Sequence, residues 1–279
     1  MEWSRIKSII LIILAVTNLS LLIFLVQREL QDQSAQREAR ENAILFLQKN
    51  GIEVEDGDIP ESMSLLPQTV SWDREQERAA ASVLLGGAVQ EQAWSDEIYR
   101  YYNETGSIQF HRDGTFQGEF VEGAFPVGDG TPAQYGLEIL STLNVTGEEI
   151  STQEGGEAGS TVTYRQRWNG IPILNHQAVL TFRDGCLVAI EGRRLTGEPQ
   201  ESTAQEPISI PTALFQFYHG VVTLGDVCSQ IDAIIPGYVA SSGSGSSTLT
   251  PVWHITTDTR SYRLDTLTGT LSRADESGV

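Results

Sequence analysis

An α+β fold carried behind a single membrane-spanning helix is what this sequence predicts, and three observations predict it. Residues 8–26 (SIILIILAVTNLSLLIFLV) hold no charge; as a helix rising about 1.5 Å per residue they span roughly 28 Å, the depth of a bilayer's hydrocarbon core. Much of the later chain alternates apolar and polar residues with period two, the pattern of antiparallel strands with one packed and one wet face. A helix followed by such strands is written twice, over 131–200 and 201–279, which predicts two related modules of sheet packed on a helix.

The N-terminal element comes first. Arg5 and Lys7 precede the uncharged run, and the mixed-charge stretch QRELQDQSAQREARE follows it, so the positive-inside bias places residues 1–7 in the cytoplasm and everything after 26 outside. Val26 is followed by Gln27, Arg28 and Glu29 rather than small residues, which favours an uncleaved anchor over a signal peptide. Leu11, Leu14, Ala15, Asn18, Leu22 and Leu25 recur at helical spacing and form one stripe. The Asn18 amide cannot be satisfied by its own backbone alone, so this stripe is the candidate contact face for another membrane helix; a tolerated lone Asn is the alternative.

The chain has 37 acidic and 18 basic residues and a net charge of −19. Arg5 and Lys7 stand against Glu2 in the first 26 positions, so the acidic excess falls wholly on the exterior portion, which excludes nucleic acid and anionic lipid surfaces as its partners. Cys186 and Cys228 are the only cysteines. An exterior location permits a disulfide, but each lies in an apolar pattern and reads as a separate buried thiol.

Residues 27–50 contain no Gly or Pro and predict a helical stalk that ends at Asn50-Gly51, its last turns carrying the apolar Ala43, Ile44, Phe46 and Leu47. Ile52 and Val54, alternating with Glu53 and Glu55, read as a brief strand. The exterior region 51–130 reads as a small mixed unit. It has a strand at 70–72, a helix at 73–83 opened by an acidic cap, and an aromatic stretch at Trp94 to Tyr102. Two strands follow around Asp113-Gly114, where a type I′ turn is expected. In the two modules, Asn169-Gly170 and Asp184-Gly185 mark further hairpins, and 241–247 (SSGSGSS) reads as a surface loop between strands.

Motifs for catalysis or metal binding are missing from this sequence. His111, His176, His219 and His254 are scattered singly, without zinc-ligand spacing. The cluster Gly155-Gly156-Glu157-Ala158-Gly159 lacks the Lys and Ser/Thr of a phosphate loop, and no G-x-S-x-G elbow occurs. Acidic neighbours such as Glu119 with Glu122, or Glu148 with Glu149, are what a chain this acidic produces by chance, so a wall-hydrolase reading finds no support in them. No enzymatic activity, cofactor or metal is expected.

The start MEWSRIKSIILIILAVTNLSLL, with Trp3-Ser4, Lys7 and Asn18-Leu19, resembles the YycI and YycH accessory proteins of Gram-positive bacteria. The late strand at Pro251-Val252-Trp253, leading to the hairpin at Asp265 and Thr268-Gly269, is similar to their C-terminal module and to PepSY-type domains. The resemblance covers the anchor and roughly 130–275, with ENAILFLQKNGIEV in support; 68–127 has no clear counterpart. It implies a single-pass membrane protein with two YycH/PepSY-like repeats, in contact with the WalK (YycG) sensor histidine kinase that governs cell-wall metabolism. A sister YycH-type protein is implied as a further partner. The resemblance makes the face around Asn18 a kinase contact, with Trp3, Arg5 and Lys7 as anchors at the cytoplasmic interface. The expected function is that of a noncatalytic regulator of the kinase. The alternative is a tethered PepSY-like module that binds or inhibits an extracytoplasmic peptidase or wall enzyme.

Overall fold

The computed structural model describes residues 2–60, 65–71, 73–154, 159–195, 197–201, 205–243 and 246–274; before residue 34, side chains are described only at 14, 17–19, 21, 22, 24 and 27. The elements run α1 (Glu2–Lys49), a 3-10 turn (Asp56–Asp58), β1 (Gln68–Ser71), α2 (Arg74–Leu84), β2 (Gln90–Ser95), β3 (Ile98–Asn103), β4 (Gly106–His111) and β5 (Thr115–Phe120). Then come α3 (Pro132–Thr142), β6 (Thr146–Glu154), β7 (Gly159–Trp168), β8 (Ile171–Arg183), β9 (Cys186–Arg193) and β10 (Pro199–Glu201). The chain finishes with α4 (Ile210–Thr223), β11 (Ile231–Ser242), β12 (Ser246–Thr257), β13 (Ser261–Asp265) and β14 (Leu271–Arg273).

The fold is mixed α and β, dominated by antiparallel sheet. Strands β2-β3-β4-β5-β9-β8-β7-β6 form one antiparallel array. In a second array β11 pairs with β12; the other edge of β12 takes β1 and then β13, which carry β10 and β14 respectively. Each array follows the alternation of its strands: Val162 and Tyr164 of β7 and Leu180 and Phe182 of β8 face one core with Ile139 and Leu140 of α3. Trp253 and Ile255 of β12 and Tyr262 and Leu264 of β13 face another with Leu214 and Phe217 of α4. Both α3 and α4 are thus followed by four antiparallel strands.

Local chemistry sets the boundaries. The Asp73 carboxylate accepts from the Glu75 and Gln76 amides at the start of α2, and Thr131 and Gln134 form a reciprocal capping box on α3. At the foot of α1, Gly51 takes φ +83, so its amide reaches the Gln48 carbonyl and the Ile52 amide that of Leu47, each at 3.0 Å. This is a Schellman closure, and it puts Leu47 and Ile52 into the same core.

Three sequence expectations change. Asp113-Gly114 is not a type I′ turn: Gly114 alone has positive φ, and its amide closes a turn on His111 O at 2.9 Å. The Asp113 carboxylate instead takes the Thr115 amide and hydroxyl, at 2.9 and 3.0 Å, and that local bonding outcompetes the primed geometry. Asn169-Gly170 and Asp184-Gly185 do have positive φ at both residues. The expected loop 241–247 shrinks, because Ser241 and Ser242 pair with Thr248 and Ser247 across β11 and β12, and Ser246 of β12 pairs with Ser71 of β1; a serine-rich composition does not prevent a backbone from completing its ladder. Region 51–130, finally, is shared between both arrays, β1 lying beside β12 while β5 lies beside β9.

The arrays meet where Tyr238 of β11 pairs in parallel with Ile173 of β8. Beside that point His176 is 1% exposed, its Nδ1 3.3 Å from the Gln166 Oε1 that also accepts the Leu195 amide. Burial, with the Arg193 charge adding to it, pushes this imidazole down to about 4. An unfolded histidine titrates near 6.5, so the unfolded chain binds the extra proton first. Stability contributed by neutral His176 is complete above about pH 6.5 and is lost as pH falls toward 4, a change of roughly 3 kcal/mol at most. Urea midpoints at pH 7 and pH 4.5 should show this loss, and a His176→Gln variant should lack it.

Candidate functional site at the foot of helix α1

The candidate site is the joint by which α1 is fastened to the α4 core. Helix α1 continues without interruption for 48 residues, about 72 Å at 1.5 Å per residue. Its residues 8–26 therefore share one helix with the docked end. Ala43 and Leu47 are buried among Ala213, Leu214 and Phe217 of α4. The Phe46 ring lies 4.7 Å from that of Phe215 and 5.1 Å from that of Tyr218. The Tyr218 hydroxyl donates to Asn50 Oδ1 at 3.1 Å, while Asn50 Nδ2 donates to Phe46 O at 2.8 Å.

On the other flank Arg40 closes the joint. Its guanidinium donates to Asp56 Oδ1 at 2.7 Å and to the carbonyls of Asp56, Ile59 and Pro60 at 2.8, 2.9 and 2.8 Å. A planar fork with five donors suits four acceptors in one short turn, which a lysine could not reach together. Downstream, Glu53 bridges Gln230 in parallel, its amide donating to Ser229 O at 2.8 Å and its carbonyl accepting from the Ile231 amide at 2.9 Å. The brief strand expected at Ile52 and Val54 is this bridge, with both side chains buried.

The core under the joint is held at its far end by Asp226. This carboxylate takes Arg273 Nε at 2.9 Å and NH2 at 3.0 Å. The Arg273 guanidinium holds it below the usual carboxylate range. Arg273 also donates to Leu224 O at 3.1 Å, tying the end of α4 to β14. Cys228 is buried in this core and burial pushes its thiol up to about 11, so it is an inert side chain. Cys186 lies on β9 of the other array and is half-buried rather than buried as expected, and neither is in a disulfide. Among the described residues no group of His, Cys, Asp and Glu is placed to hold a metal ion.

All the sequence-predicted site residues lie on α1. Leu14, Asn18 and Leu22 are exposed there, Asn18 falling one turn after Leu14 and one before Leu22, as the stripe requires. The side chains of Leu11, Ala15, Leu25, Trp3, Arg5 and Lys7 lie outside the described residues. Among the described residues no helix is long and apolar enough to cross a membrane; most side chains of the uncharged run lie outside those described. Arg40 was hidden in a stalk of mixed charge. Its one sequence signal is its place a turn before Ala43, Ile44 and Leu47, with Asp56 and Asp58 soon after the helix stop.

No protein-family model and no curated protein matches the chain. A solved structure of an uncharacterized protein from Eubacterium rectale ATCC 33656 is similar at 12% identity, with 75% of this chain and 81% of that one covered and a TM-score of 0.40.

Proposed function

We propose that this chain is a noncatalytic, single-pass regulator of a cell-wall-sensing, WalK-like histidine kinase, with its N-terminus cytoplasmic and its bulk outside the cell. The observation that carries the reading is the continuity of α1 from the uncharged run into the Arg40 and Phe46 joint. A helix without a break transmits rotation and translation along its length, so a change in packing within the membrane moves the exterior body, and the reverse. The stripe of Leu11, Leu14, Ala15, Asn18, Leu22 and Leu25 is the face that biases the packing of the kinase's membrane helices, and a sister YycH-type subunit is held by the exterior body.

The test is co-purification from native membranes together with a kinase-dependent reporter. Asn18→Leu should lower kinase recovery and shift the output, and replacing 8–26 by an unrelated membrane helix should abolish both effects of the protein. If association and output survive the replacement, the helix is a tether, and the binding-module alternative replaces this proposal.

A further inference from the structure

The topology divides the chain more sharply than its length suggests. The array formed by β2 to β9, with α2 and α3, is one continuous stretch, 73–195, inserted between β1 and β10. The strands on either side of the insertion pair with each other, Gln68 with Glu201, Thr69 with Gln200 and Val70 with Pro199. The two crossings also touch, since a Cβ built on Gly197 would come within 2.3 Å of Ser71 O. This makes a two-stranded neck with a head of 73–195 beyond it and a base of α1, α4 and β11 to β14 behind it.

Each body has its own core. Twenty-one buried side chains from Ala80 to Ile190 cluster in the head, and seventeen from α1 and the stretch just after it, α4, Cys228 and β11 to β14 in the base. Six others, Val70, Ile173, Leu195, Tyr238, Ala240 and Leu249, fill the seam between them. Strands β8 and β11 run side by side across the seam but share a single register pair, whereas neighbouring strands within each body share ladders of three to eleven pairs. Next to that pair a side chain takes over from the backbone: Asn175 Nδ2 donates to Ala240 O at 2.7 Å and Asn175 Oδ1 accepts the Ala240 amide at 2.9 Å. Further links among the described residues are side-chain bonds, Trp168 Nε1 to Gln68 Oε1 at 2.8 Å and the Ser242 hydroxyl to Asp113 O at 2.7 Å. Gly237 lets the strands approach, since a Cβ there would meet Pro172 O at 3.1 Å.

From this arrangement we infer that the seam is a pivot: the head swings from the base about the β1–β10 neck while both bodies stay folded. Local opening follows the path that breaks the fewest backbone bonds and exposes the least apolar surface. That path is the seam, where six side chains and one register pair stand against the larger cores and longer ladders on either side. A pivot between two intact bodies is a two-state element that a partner touching both would bias.

Hydrogen exchange on the full chain tests the inference. In the wild type, peptides covering 171–176 and 238–242 should exchange faster than those covering 106–110 and 252–257. Asn175→Ala should speed exchange at the two seam peptides about tenfold, the effect of losing one paired side-chain bridge, and leave the two interior regions unchanged. Gly237→Ala, which presses on a backbone carbonyl, should act the same way through a different atom. Seam peptides as protected as both interiors, or extra exchange in the variants spread evenly through head and base, would overturn the pivot.

Discussion

Glu77→Ala should cost the fold about 3–5 kcal/mol, the range for breaking a buried ion pair from one side. Glu77 on α2 and Arg194, just past β9, are 4% and 3% exposed and lie 3.4 Å apart. The guanidinium also donates to Leu143 O at 3.0 Å and stands 4.0 Å over the Phe110 ring. Burial lowers the Arg194 pKa, and the Glu77 charge opposes that shift. Removing Glu77 therefore leaves a cation in the interior with a carbonyl and an aromatic face for company, well short of what water would supply. Glu77→Leu combined with Arg194→Met removes both charges and should cost less than the sum of the single changes. Urea unfolding at constant m measures the difference; a Glu77→Ala midpoint within about 1 kcal/mol of wild type would show that the pair does not hold α2 to the head.

Arg40→Ala should release the foot of α1 from the base, at about 2–4 kcal/mol of local stability. Asp56 is largely exposed, so the charge pair itself is worth little. Most of the effect comes from the three carbonyls that lose a charged donor. The loss should be local: amide exchange rises at Ile59 and Glu53, while the head keeps its protection. Arg40→Lys retains the charge but offers a single point of contact, so most of the loss should persist. If the chain regulates a kinase through α1, as proposed, Arg40→Ala uncouples that output while Asn18 and the uncharged run remain intact. Normal output with a released joint would place the coupling elsewhere.

Both changes act on groups whose partners are remote in sequence, and that separates what could be read in advance from what could not. Helix ends and hairpins depend on neighbours within a few residues. Asp73, Asn50-Gly51, Asn169-Gly170 and Asp184-Gly185 were therefore legible. Asp113-Gly114 was misread in type, since the same dipeptide serves two turn geometries and the Thr115 contacts chose between them. The serine-rich stretch failed for a different reason. Composition estimates flexibility, but a ladder is completed by backbone groups that every residue owns.

Arg40 and Glu77 look, in sequence, like solvated charges among many. One is fully used by a turn sixteen to twenty residues away, and the other is buried by a residue 117 positions later. Period-two alternation identified which side chains face a core, but it carries no record of which strand lies alongside. The insertion of 73–195 between β1 and β10 was invisible for that reason.

The sequence by itself determined the uncharged helical run, the stop of α1 at Asn50-Gly51, the antiparallel character of the strands and the absence of recognisable catalytic spacing. Each follows from local sterics, hydropathy or short-range bonding. Only the tertiary structure decided that Arg40 clamps the helix foot, that Glu77 and Arg194 are buried together, and that a head meets a base where β8 and β11 share one register pair. Those depend on long-range pairing, whose energy is shared among many weak contacts and is written in no single stretch of the chain.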